Sequence, residues 1–272
     1  MHFTLRTYVS AIPPANQHNQ TWLEGLQRSL ELQKEVTHPF HEKPYELQGI
    51  EVLSYDIWKS NLGFFTMHVA LQKGDKVEKN TIFMRGPYVA MLVMLTPYDE
   101  SGEGQEELKE KWKEDRYVLL VEQPRFAASS LMFRELPAGM IDDGEEPVVA
   151  AAREIEEETG LTVPPGELLN LTEMAMGGAP DSSIAEREKL PEAIYPSAGG
   201  CDENMTCFAY ERKITRKGLE ELDGRHKGIE EENERTIVRV VPMRDLVKEG
   251  IRDSKVLNAK ALWDHLKSAG KV

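Results

Sequence analysis

Residues 139 to 161, GMIDDGEEPVVAAAREIEEETGL, restrict this 272-residue chain more than any other stretch. Proline is tolerated in the first turn of a helix and glycine closes the last, so Pro147 and Gly160 bound a helix of about three turns. Within it Val148, Ala151, Ala152 and Ile155 recur at spacings of three and four and make one apolar face. Glu154, Glu157 and Glu158 recur at the same spacings on the adjoining face, which is expected to be exposed. Like charges placed this way destabilise a helix by roughly a few tenths of a kcal/mol per pair unless something neutralises them. Hard divalent cations, which take oxygen ligands, would do so. A run of glutamates is also the ordinary composition of a solvated helix face, and Arg153 among them an ordinary surface cation. The residues around the run separate these readings.

Composition narrows the partners. With 33 basic and 47 acidic residues the net charge is −14, which repels nucleic acid and anionic membrane over most of the surface. A phosphorylated small molecule stays open, provided a divalent cation sits between its phosphates and the protein's carboxylates. The 40% hydrophobic content, with only 20 Gly and 15 Pro, excludes a disordered acidic chain and a collagen-like one. Cys201 and Cys207 fit neither a disulfide scaffold nor the usual metal spacings and read as two reduced thiols. The most continuous apolar run, Tyr88 to Thr96, is about half a membrane span and is expected to be a buried strand. The first 23 residues lack acids, as an organellar presequence would, yet carry one arginine, Arg6, and the pair Pro13 and Pro14, so a cytoplasmic protein is expected, with an organellar transit peptide left open.

Along the chain, residues 21 to 35 place Trp22, Leu26 and Leu30 at near-helical spacing, with Thr21 as N-cap. Strand-like runs at 50–55 and 64–71, punctuated by 59–63 and 74–76, suggest a small β-rich N-terminal piece ending near residue 80. A larger unit, 81–272, follows with strands at 89–95 and 117–122, separated by a charged, solvated loop from 99 to 115. The N-terminal piece looks too small to hold a core alone, which predicts a homodimer built through it.

Gly139, Glu145, Arg153, Glu154, Ile155, Glu156, Glu157, Glu158, Gly160 and Leu161 reproduce the Nudix box without a departure. With average residue usage a chance match is on the order of one in ten million. The chain resembles the Nudix hydrolases, and its flanks narrow the resemblance. VEQPRFAASSLMFRELPAGM before the box, YPSAGGCDE at 195–203, HKGIEEENERTIVRVVPMRDL and DSKVLNAKAL at 253–262 are similar to the ADP-ribose and ADP-sugar diphosphatase branch, most of all its plant ADP-sugar type. Pro196 lies 35 residues after Leu161, far later than usual in that branch, and residues 177–194 read as a loop insertion.

The resemblance implies an α+β fold: the Nudix α/β/α sandwich with a mixed sheet, plus the small N-terminal β domain. It implies Mg²⁺, or Mn²⁺, held by Glu154, Glu157, Glu158 and the Ala138 carbonyl, with Arg153 holding a glutamate in orientation. It implies a nucleoside diphosphate sugar such as ADP-ribose or ADP-glucose, hydrolysed to AMP and a sugar phosphate. Arg125, Gly139, Gly199, Gly200 and Glu203 fall at positions near substrate, and Glu232 and Glu234 match loop carboxylates that complete the metal shell or act as base. Trp58, with Tyr55, could stack the base, although buried structural aromatics are commoner. The box sees only metal and diphosphate, so UDP-sugars, NADH and dinucleoside polyphosphates stay open, as does a non-catalytic nucleotide sensor, which would usually have lost a box glutamate.

Overall fold

The computed structural model describes residues 17–58, 61–98, 116–177, 187–228 and 235–272. Contacts divide the chain into two compact units, Met1–Pro87 with Gly178–Met205, and Tyr88–Gly177 with Thr206–Val272.

In the first unit the helix α1 (Gln17–Leu32) runs one turn further toward the N-terminus than its apolar stripe suggests. Thr21 therefore lies inside it, and its hydroxyl donates back to the Gln17 carbonyl at 3.0 Å rather than capping. The two expected strand runs extend into long antiparallel strands, β1 (Tyr45–Trp58) and β2 (Asn61–Lys73), and the chain turns through Gly74 (φ +58°) into β3 (Lys76–Met84). Asn61–Gly63, expected as a break, belongs to β2. Alternation puts Phe65, Met67 and Val69 on one face, where Trp22 and Leu26 of α1 pack with them.

Residues near 200 join this unit rather than the domain they interrupt in sequence. Phe83 N–H donates to the Gly200 carbonyl at 2.9 Å, and the Asp202 carboxylate accepts from the Arg85 N–H at 2.6 Å. A boundary near residue 80 with everything later in one domain differs from this division on both counts: β3 runs past it, and the described residues near 200 group with the first unit. Hydrogen bonds between segments more than a hundred residues apart leave no local mark in a sequence.

The second unit is built on the apolar run from Val89 to Leu95. It has no polar side chain on either face, so a strand made of it must be covered on both. It forms β4 (Pro87–Tyr98), at the centre of a mixed sheet. Its companions are β5 (Tyr117–Arg125), β6 (Ser130–Glu135), β7 (Ala138–Met140), β8 (Leu169–Asn170), β9 (Asn204–Thr215), β10 (His226–Lys227) and β11 (Thr236–Pro242). Their order is β10-β11-β5-β4-β9-β8, with β6 paired to β5 and β7 to β4. The β5–β6 register slips between Gln123 and Arg125, at Pro124, which has no N–H to give the ladder.

Val89, Met91, Val93 and Leu95 pack against α2 (Pro147–Thr159), through Ala150, Ala151 and Ile155. The alternate residues Ala90, Leu92 and Met94 are equally buried. The short helix α3 (Leu171–Met176) packs on the C-terminal helix α6 (Ser254–Ser268), which buries Val256, Ala259, Trp263 and Leu266. Two further helices, α4 (Arg216–Leu222) and α5 (Leu246–Gly250), complete the helical layers of the expected α/β/α sandwich. Each fully buried leucine here is worth roughly 1.5–3 kcal/mol relative to exposure. Among the described residues no helix is long and apolar enough to cross a membrane.

Candidate active site

The helix α2 begins and ends where its proline and glycine require. Pro147 is its first residue, and Gly160 follows it at φ +75° with its N–H on the Glu156 carbonyl at 2.8 Å. Arg153 organises the face that carries the acids. Its Nε donates to Glu145 Oε1 at 3.1 Å, and Nη2 donates to Glu145 Oε2 and to the Met140 carbonyl, both at 3.0 Å. Nη1 donates to Glu154 Oε1 at 2.7 Å and Glu157 Oε2 at 3.2 Å. One guanidinium thus ties the loop before the helix, the end of β7 and two box glutamates together, and it holds the Glu145 carboxyl below its usual range.

Glu158 differs from its expected exposed position. It is 6% exposed, with Oε1 accepting from Gln123 Nε2 and Oε2 from the Ala138 N–H, both at 2.9 Å. Burial and then the Glu154 charge push its carboxyl up to about 8, the Ala138 amide opposes them, and the Glu135 charge adds to the rise. Glu154 lies over Gly139: a Cβ on that glycine would fall 1.8 Å from the Glu154 carboxyl carbon. Only glycine leaves room there.

This donor set suits a hard divalent cation. It is all oxygen, and one buried carboxylate resists ionisation until a positive charge is near. Among the described residues no three acidic, histidine or cysteine side chains converge into a closed metal cage; Arg153 instead neutralises Glu154 and Glu157 together. Glu232 and Glu234 lie outside the described residues. Their flanks are described: Gly228 N–H donates to the Glu157 carbonyl at 3.2 Å, and the Thr236 hydroxyl to the Glu158 carbonyl at 3.1 Å.

Of the other expected residues, Arg125 donates from Nε to Glu135 Oε1 at 2.7 Å and keeps 43% of its side chain exposed. Arg125, Ala138, Gly139, Arg153, Glu154, Glu157 and Glu158 all belong to the second unit, whereas Trp58, Gly199, Gly200 and Glu203 belong to the first. There Glu203 pairs with Arg85 at 2.9 Å, and Trp58 lies against Gly63 and edge-on to Phe64, ring centres 4.4 Å apart. Tyr55 packs, partly buried, against the small core. Sequence reasoning gave no role to Gln123, although it sits in the quoted EQ-x-R run, nor to Glu135 or Lys255.

The NUDIX domain family matches residues 111–257, more than half of the chain and all of α2 with its approach from β7. The chain belongs to the Nudix family. It is 31% identical over 230 residues to Nudix hydrolase 14, chloroplastic, of Arabidopsis thaliana, covering 83% of this chain and 65% of that protein. It is 37% identical over 139 residues to the CMP-5'-(N-acetyl-N-hydroxy-3-aminopropyl)phosphonate hydrolase of Streptomyces rubellomurinus, covering 50% of this chain and 53% of that one. The chain thus spans between half and two thirds of these relatives. A crystal structure of an ADP compounds hydrolase aligns with 84% of this chain and 97% of its own at 14% identity, with a TM-score of 0.48. Within the Nudix family the intact box, rather than overall similarity, bears on chemistry.

Proposed function

We propose that this Nudix protein hydrolyses the diphosphate bond of a nucleoside diphosphate sugar, with ADP-ribose and ADP-glucose as the first substrates to test, releasing AMP and a sugar phosphate. The observation that carries the reading is the complete acidic face of α2, with Glu154 seated on a glycine and Glu158 buried beside the Ala138 amide. Glu154, Glu157, Glu158 and the Ala138 carbonyl would hold Mg²⁺ or Mn²⁺. A cation held there would supply positive charge to the diphosphate and lower the pKa of an attacking water.

The remaining steps belong to side chains. Arg153 fixes Glu154 and Glu157 so that their charges need not reorganise during the reaction. Arg125 binds the diphosphate or distal sugar, and Gly139 admits the Glu154 carboxylate. Gly199, Gly200, Glu203 and Trp58 are proposed substrate contacts on the family pattern. With the helix glutamates engaged, Glu234, or failing it Glu232, is the proposed base that takes the water's proton. Either glutamine variant that lowers kcat about a hundredfold at unchanged KM identifies it.

A homodimer through the N-terminal unit and a cytoplasmic location belong to the same reading; the Arabidopsis relative's name places that protein in the chloroplast. Light scattering on the full chain tests the first, and a monomer with full activity would end it. The Streptomyces relative is named for a CMP-linked substrate, so adenine is not assumed. The deciding experiment is a product assay over ADP-ribose, ADP-glucose, UDP-glucose, a CMP conjugate, NADH and diadenosine polyphosphates, each with Mg²⁺, Mn²⁺ or chelator. Metal-dependent AMP release, highest for an ADP-sugar, is expected. Nucleotide binding without turnover of any substrate would replace the enzyme with a sensor.

A further inference from the structure

Asp253 and Lys255, at the start of α6, take no part in the site described above, yet their side chains are only 4% and 12% exposed. Charges withdrawn from water to this degree have to be matched by partners. Lys255 Nζ donates to Glu135 Oε2 at 2.6 Å and lies 3.1 Å from Asp253 Oδ1; Glu135 is 3% exposed. Asp253 also caps the helix, with Oδ1 accepting from the Lys255 N–H at 3.0 Å, and Oδ2 accepts from the Leu136 N–H at 2.9 Å. The second oxygen of Glu135 accepts from Arg125 Nε. Four alternating charges, Asp253, Lys255, Glu135 and Arg125, therefore run from a buried helix start to a guanidinium that reaches solvent.

We propose that Lys255 is a positioning residue: clamped between Asp253 and Glu135, it fixes the Glu135 carboxylate, which holds Arg125 by Nε and leaves the terminal guanidinium nitrogens to bind substrate phosphate. The proposal rests on the reading of Arg125 as a substrate contact. An arginine at a strand end has several rotatable bonds, and a ligand that must order it binds more weakly than one that finds it held. Glu135 can hold it only if its own rotation is set, and Lys255 occupies the oxygen that Arg125 does not. Through Asp253 the same device fixes the Leu136 amide, two residues before Ala138. The short D-x-K signature at the start of α6 thus acts on substrate binding across a sequence distance of more than a hundred residues.

The test uses the full chain and two readouts. Nitrogen-15 NMR follows the Arg125 Nε–Hε signal, assigned by its loss in Arg125→Lys, and steady-state kinetics with ADP-ribose and Mg²⁺ follow KM and kcat. Lys255→Met should shift or broaden the signal and raise KM about tenfold with little change in kcat, the range seen when outer-shell partners are removed. Combined with Arg125→Ala it should add nothing to the KM of Arg125→Ala alone, and Lys255→Arg should recover most of the signal. If Lys255→Met does not fold, Glu135→Gln, which keeps the shape and loses the charge, should give the same pair of effects. An unmoved Arg125 signal, or KM effects that multiply, overturns the proposal. A moved signal with normal KM in Arg125→Ala supports the positioning and removes Arg125 from the list of substrate contacts.

Discussion

The two sheets solve the problem of covering apolar residues differently. In the second unit Val89 to Leu95 are at most 1% exposed, and Tyr117 to Val121 are fully buried. In the first, none of the 14 residues of β1 is buried, and Leu53, Ile57, Trp58, Val77 and Phe83 are each 39% exposed or more. A sheet dry on both faces holds its side chains in place, and the buried carboxylates Glu135 and Glu122 attached to it are matched by cations, Glu135 by Lys255 and Glu122 by Arg134 and Arg239. A sheet dry on one face leaves an aromatic row, Trp58, Phe64 and Phe83, whose edges are open. Changes in the second unit should therefore abolish a property, and changes in the first should adjust one.

The largest effect is expected from Glu158→Gln. It should remove most of the Mg²⁺-dependent turnover, a greater loss than the roughly hundredfold typical of outer-shell changes. The fold should survive despite the residue's burial, because Gln123 can turn its carboxamide to meet the new one while the remaining oxygen keeps the Ala138 N–H. Circular dichroism and a product assay check both statements; near-normal turnover would remove α2 from the metal site. The same variant tests the raised carboxyl. With folded pKa about 8 against 4.5 unfolded, the native state holds a proton that the unfolded state releases between those values. In chelator the wild type should lose stability as pH rises through that window, while Glu158→Gln should not. Added Mg²⁺ should raise the wild-type Tm more at pH 8 than at pH 6.

Gly139→Ala comes next. Its Cβ would collide with the Glu154 carboxyl, so Glu154 must leave its place while the sheet beneath is untouched. A loss of turnover of about tenfold or more with a nearly unchanged Tm is expected; a large drop in Tm would mean that the glycine serves β7 and not the site.

Core truncations sharpen the contrast between the sheets. Leu119→Ala, in a fully enclosed site, should cost about 4 kcal/mol, and Met67→Ala, in the smaller cluster under α1, about 2 kcal/mol. Denaturant unfolding measures each. Equal costs would say that the first unit is as tightly packed as the second.

What could be read from the sequence follows from how local each cause is. Pro147 and Gly160 act on their own turns, so the bounds of α2 were legible to the residue. The run from Val89 to Leu95 demanded cover on both faces whatever supplied it. The burial of Glu158 was not legible, because helical spacing says which residues share a face and not what lies against it; Gln123, 35 positions away, does. Nothing near residue 200 marks its return to the first unit, since the marks are backbone groups of Phe83 and Arg85. The D-x-K start of α6 was visible as a family pattern, but its partner Glu135 is 120 residues distant.

The smallest effect is expected at Trp58, and it decides whether the open row in the first unit has a use. The ring is 49% exposed and lies flush on Gly63, where a Cβ would come within 2.7 Å of the indole. A contact with Phe64 of this kind is worth about 1 kcal/mol, so Trp58→Ala should lower stability only slightly. Stacking a base on an aromatic ring is worth roughly 1–3 kcal/mol, which would appear as a KM for ADP-ribose raised about tenfold with kcat unchanged. Trp58→Phe should keep most of the binding. Gly63→Ala, which leaves Trp58 in the chain but pushes its ring aside, should reproduce the loss. If Trp58→Ala lowers the Tm by several degrees and leaves KM alone, the ring is structural, and the open face of the first sheet does not serve the nucleotide through it.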